Sequence, residues 1–151
     1  MRGNYEEAYA FARQLEGEPW AKTFFMVWRL GWGLALANYG LGNLAAARQS
    51  LREVLTLTHD TVKAPSVQQI CLPLAALLSE TPERAEELLG LAYRAPQDIT
   101  GWTTRCQPLV DLRRELQRGL GDERFAAAGA RGESFELEAA VEQLLCNLGV
   151  T

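Results

Sequence analysis

Few side chains in this sequence are of a type and spacing that could do chemistry. There is one histidine, His59, and there are three cysteines, Cys71, Cys106 and Cys146. A zinc site or a Cys–His nucleophile pair needs several such groups close together, and none of the usual short ligand spacings occurs. His59 closes a helical segment, where a cationic side chain suits the negative end of the helix dipole. Cysteines that are odd in number and far apart argue against a disulfide framework and for a reducing compartment. Glu6-Glu7, Glu86-Glu87 and Asp122-Glu123 could each supply an acid and a base. Adjacent helical residues point about 100° apart, however, so each pair reads as a solvated helix face. Gly31-Trp32-Gly33 follows no strand and so makes no dinucleotide-binding turn. These residues imply no enzyme, no metal and no cofactor.

Charge excludes further classes. Lys and Arg number 15 against 19 Asp and Glu, a net of -4, and the two signs are interleaved. Nucleic-acid binding needs clustered cations, and the one cluster, Arg113-Arg114 with Arg118, is interrupted by Glu115 and reads as a solvated face. The most apolar run, Phe24 to Gly40, carries Arg29 near its middle and Gly31 and Gly33 within it. That pattern suits a helix buried on two sides better than a membrane span. The opening residues MRGNYEEA place acids where a secretion signal would be apolar, so a cytoplasmic location is expected.

The elements that position these groups are helices. Val67, Ile70, Cys71, Leu74, Leu77 and Leu78 recur at intervals of three and four, and strand-like alternation is nearly absent. Glycines and prolines punctuate the chain at helix length and predict helices near 4–16, 20–39, 43–58, 66–79, 82–94, 105–119, 122–129 and 135–147. Thr81-Pro82 signals one helix start, and Ser134 before Phe135 signals another. Pro73 falls inside an apolar stripe and predicts a kink. With 151 residues the chain suits a single domain with a sizeable core.

A self-similar pattern runs through the first two-thirds. Gly3-Asn4-Tyr5-Glu6-Glu7-Ala8, Gly42-Asn43-Leu44-Ala45-Ala46-Ala47 and Glu80-Thr81-Pro82-Glu83-Arg84-Ala85 align, so that Ala8, Ala47 and Ala85 recur at intervals of 39 and 38 residues. Ala12, Leu51 or Leu89 follows four residues later, then Leu15, Val54 or Ala92. A small residue lets two helices approach, and larger ones fill the gap one and two turns on. The pattern resembles the tetratricopeptide repeat, a helical pair of about 34 residues that stacks into a superhelix. The longer interval resembles the extended repeats of large bacterial regulators. Glu83 to Leu145, with Leu88-Leu89-Gly90, Gly101-Trp102, Leu112 to Gly121, Phe125 to Ala128 and Leu137 to Leu145, resembles the C-terminal end of bacterial signal-transduction ATPases and transcriptional regulators.

The resemblance implies an all-α fold: antiparallel helical hairpins stacked as a right-handed superhelix over 1–97, two and a half repeats, closed by a C-terminal helical cap over 98–151. It implies a non-catalytic interaction or regulatory module of a signalling protein, with a protein or peptide partner and no direct contact with nucleic acid or membrane. In that family's stacking, Arg29, Trp32, Leu36 and Tyr39, with Val67, Ile70, Leu74 and Leu77, line a concave groove. Either a partner occupies it or the C-terminal helices fold back over it. The first unit lacks its first helix in this chain, which leaves Tyr5, Phe11 and Leu15 on an open edge, suited to a homodimer or a preceding repeat. An oligomerisation module and a small-effector sensor are the rival readings.

Overall fold

A computed structural model describes residues 2–96 and 100–149, and among these it contains eight α-helices and no strand. They are α1 (Arg2–Glu16), α2 (Phe24–Gly40), α3 (Leu44–Thr56), α4 (Pro65–Leu77), α5 (Pro82–Tyr93), α6 (Gln107–Leu120), α7 (Asp122–Glu133) and α8 (Leu137–Gly149). Short 3-10 turns occupy Pro19–Lys22 and Gly101–Arg105, and a π turn occupies Leu57–Thr61. The helices form two compact units, one within Met1–Lys63 and Leu145–Thr151, the other within Ala64–Leu144. The boundary expected at 97–98 lies outside the described residues.

In unit 1, α2 packs on both α1 and α3. Gly42, at φ 82°, adopts the left-handed backbone that ends α2 and lets α3 turn back. α2 and α3 then run antiparallel, and the missing side chain of Gly31 admits Val54, whose Cγ2 lies 2.6 Å from where a Cβ would stand. Ala47, Leu51, Val54 and Leu55 bury one stripe of α3. α1 lies against α2 with the Tyr5 ring seated on Gly40. Ala12 is buried there, whereas Ala8, one turn earlier, is exposed, unlike its repeat counterparts Ala47 and Ala85, which are buried.

In unit 2, α5 is the central helix, packed on α4, α6 and α7. The α4 stripe is buried almost throughout, and the helix continues across Pro73 to Leu77. Gln69, also buried, donates from Nε2 to the Leu91 carbonyl at 2.7 Å and so holds α4 to the end of α5. The α5–α7 seam is closest. A Cβ on Gly90 would lie 3.0 Å from the carbonyl carbon of Gly129, and one on Gly132 would lie 2.7 Å from that of Glu87.

These glycines correct two expectations. Gly129 and Gly132 do not end a helix at 129; α7 continues to Glu133 because both glycines serve close packing. Ser134 closes α7 rather than opening α8: its hydroxyl donates to the Arg131 carbonyl at 2.7 Å. Arg94 donates to the Glu133 and Phe135 carbonyls, each at 3.0 Å, at this C-terminal end where carbonyls lack helical partners.

Candidate interaction surfaces

The chemistry-bearing residues stay apart. Among the described residues no group of three or more His, Cys, Asp or Glu side chains is placed to hold a metal, and no helix is long and apolar enough to cross a membrane. All three cysteines are free thiols. Burial pushes the Cys71 thiol up to about 12 and that of the half-buried Cys106 upward, which holds both in the protonated, unreactive form. His59 sits in the π turn, 3.8 Å from Asp60.

Unit 1 carries the apolar surface. Pro19 starts the 3-10 turn and the Thr23 hydroxyl donates to the Trp20 carbonyl at 2.9 Å, which presents Trp20 outward, 45% exposed. A cleft of about 450 Å³ opens beside this turn between α2 and α3, walled by Ala21, Val27, Leu30, Leu34, Val54 and Leu57, with Lys22, Glu16 and Glu53 also lining it. Gly31 lies on this wall, so its missing side chain both admits Val54 and widens the cleft. On α2, Phe25 is 55% exposed and meets Trp28 edge-on at 6.4 Å. Arg29 lies 4.0 Å from the Phe25 ring centroid and 5.3 Å from that of Trp28. The three stack as a cation–π ridge, since Phe25, Trp28 and Arg29 fall at intervals of three and four from the first.

The sequence-derived groove residues divide. On α2, Arg29 is exposed but engaged in that ridge, and Trp32, Leu36 and Tyr39 are half-buried. On α4, Val67, Leu74 and Leu77 are buried, and only Ile70 keeps partial exposure. The α4 half is therefore core rather than open groove; α5 and α6 pack against that helix. On the expected edge, Tyr5 and Leu15 are half-buried, Tyr5 against α2, and Phe11 alone of the three faces outward, 62% exposed.

Unit 2 brings together a second constellation that the sequence reading missed. Glu86, read there as part of a solvated face, is 4% exposed and points into the α5–α7 seam, with Oε1 3.2 Å from the Cβ position of Gly129. Its Oε2 has no hydrogen-bond partner. Burial raises its carboxyl to about 7, and Arg113 partly opposes that rise. Arg113 is exposed, as are Arg114 and Arg118 of the expected solvated face, and its guanidinium also lies over the Tyr93 and Phe125 rings at 4.9 and 5.9 Å. The signal was present in Glu86, Leu89, Gly90 and Tyr93, whose intervals of three, one and three put the acid on the face of a glycine and an aromatic. Glu87 is half-buried and pairs with Arg131 at 3.1 Å and Arg84 at 3.3 Å, and Glu83 pairs with Arg124. No family model, no curated protein and no solved structure matches this chain.

Proposed function

We propose that the protein is a non-catalytic interaction module, a tetratricopeptide-like right-handed stack of helical hairpins with a C-terminal helical cap. It would work as the cytoplasmic regulatory tail of a bacterial signalling ATPase or transcriptional regulator. The observation that carries the interaction reading is the unit 1 surface, where Val27 stays exposed on the wall of an apolar cleft of about 450 Å³ and Trp20 on the turn beside it. Large exposed apolar side chains beside a concavity mark protein contacts, and aromatics with arginine supply much of the energy at such contacts. The occupant that suits the cleft is a partner's amphipathic helix, with an apolar anchor entering between α2 and α3.

A photo-crosslinking residue at Lys22 or Val27, both on the cleft wall, tests this in cells, with one at Arg52 on the exposed face of α3 as control. A discrete product at Lys22 and Val27 but not at Arg52, reproduced with the purified partner, supports the reading. Uniform or absent crosslinking at all three positions overturns it. Phe11 favours self-association as the second reading, since it is the most outward large apolar side chain of α1. Light scattering on the wild type and F11E decides: a concentration-stable dimer that F11E dissociates supports it, and a wild-type monomer overturns it.

A further inference from the structure

A second cleft, of about 410 Å³, lies within unit 2 and is distinct in chemistry from the apolar one. Its walls are Tyr93, Leu109, Val110 and Phe125, and its polar lining is Thr103, Thr104, Gln117, Arg113 and Arg114. Most polar groups there already have partners. Thr103 and Thr104 donate to the Thr100 and Gly101 carbonyls, Gln117 to Asp122, and Arg114 stands 3.7 Å from Asp111. Arg113 differs. Among the described residues its guanidinium has ring contacts but neither a hydrogen bond nor an ion pair within 4.0 Å. A guanidinium that rests beside two rings spends none of its N–H donors on them, and its fork matches a carboxylate.

The negative charge on which Arg113 acts belongs to the seam. Glu86 and Tyr93 are two turns apart on α5, and Phe125 and Gly129 one turn apart on α7, so the Arg113 cleft and the Glu86 carboxyl share the same two helix faces. Glu86 is more than nine-tenths buried with an oxygen unpartnered, and Arg113 is the charge that acts on it. The other charges flanking it on α5 and α7 are Glu83 and Glu87, paired across the seam with Arg124 and Arg131, and Arg84, also paired with Glu87; α4 carries no charged residue.

We propose that this cleft binds a small organic carboxylate, with its carboxyl on Arg113 and its apolar body against Tyr93, Phe125 and Val110, and that binding raises the proton occupancy of Glu86, with uptake of a fraction of a proton. Among the described residues Arg113 is the one cation of the lining without an ion pair, which selects a monoanion, and the aromatic and aliphatic walls select an apolar body over a hydrated ion. The coupling follows from charge. An anion on Arg113 cancels the positive field that favours the Glu86 carboxylate and adds a negative one, so Glu86 takes its proton from solvent. By reciprocity a neutral Glu86 leaves Arg113 freer to bind, and affinity rises as pH falls through about 7. The site is independent of the partner-helix reading, which concerns unit 1.

The test is calorimetric titration of benzoate, ionised throughout, into the full chain near pH 6 and pH 8 in buffers of different ionisation heat. The expected result is one weak site, roughly fivefold tighter at the lower pH, at the low end of measured couplings, with net proton uptake. R113Q should weaken binding at least tenfold, and R113K, which keeps the charge without the fork, should weaken it less. E86Q should retain the site and lose both the proton uptake and the pH dependence. Acetate should bind more weakly than benzoate, since it lacks a body for the walls. Binding unchanged in both Arg113 variants, or equal affinity for acetate and benzoate, overturns the site; pH dependence that survives in E86Q overturns the coupling. The charge-retaining R113K and near-isosteric E86Q keep the test valid if R113Q fails to fold.

Discussion

The α5–α7 seam should be the least forgiving place in the chain for a single methyl group. In Gly132→Ala the new Cβ meets backbone: it would lie 2.7 Å from the Glu87 carbonyl carbon and 2.8 Å from its Cα. Carbon atoms rest at about 3.5–4.0 Å, so α7 must withdraw by about 1 Å, and no side-chain rotation can relieve it. A gap of that size forfeits a quarter to a half of the contact energy along a seam that buries Ala85, Leu88, Leu89 and Ala128. Overpacking of this kind costs about 3 kcal/mol or slightly more, against which alanine's better helix propensity returns up to about 1, leaving a net loss of about 2–3 kcal/mol. Gly129→Ala is the internal control, because its Cβ would meet only the Glu86 side-chain oxygen at 3.2 Å, which can shift. That variant should change stability by less than about 1 kcal/mol. Gly33→Ala, in mid-helix with nothing within 4 Å, should stabilise by about 0.5–1 kcal/mol. Urea denaturation followed by circular dichroism gives all three values. A Gly132→Ala variant as stable as the wild type, or a Gly129→Ala variant equally damaged, would refute backbone contact as the reason for the glycines.

The buried Glu86 predicts a pH dependence of opposite sign to that of a salt-bridged acid. Its carboxyl lies at 4.5 when unfolded and at about 7 when folded, so between these values the folded chain holds a proton the unfolded chain has lost. Stability should therefore fall as pH rises across that window and level off above it, by about 3 kcal/mol at most. E86Q should match the wild type near pH 4.5 and exceed it near pH 8 in urea melts; equal stability at both would show that ionisation there costs nothing. Thiol labelling of the native chain should modify exposed Cys146 quickly and buried Cys71 only on unfolding, and rapid native labelling of Cys71 would contradict the α4 packing.

The sequence by itself determined the helices. Spacings of three and four and the position of glycines and prolines placed all eight within a few residues, because those signals act over one or two turns of the same chain. It also located the buried face of α3 through Ala47, Leu51 and Val54, whose small-then-large order is itself a packing instruction. Other features depended on which helix lies across from which, and no local pattern encodes that. Gly129 and Gly132 look like helix breakers until α5 lies against them, whereupon the absence of a Cβ is what permits the contact. Val67, Leu74 and Leu77 have the same apolar spacing whether a groove or a core receives them, and only α5 and α6 packed against α4 make them core. Glu86 and Glu87 are adjacent and chemically alike, yet a rotation of about 100° along α5 puts one in the seam and the other among arginines. Burial, not residue type, raises the proton affinity of Glu86, and burial belongs to the tertiary structure.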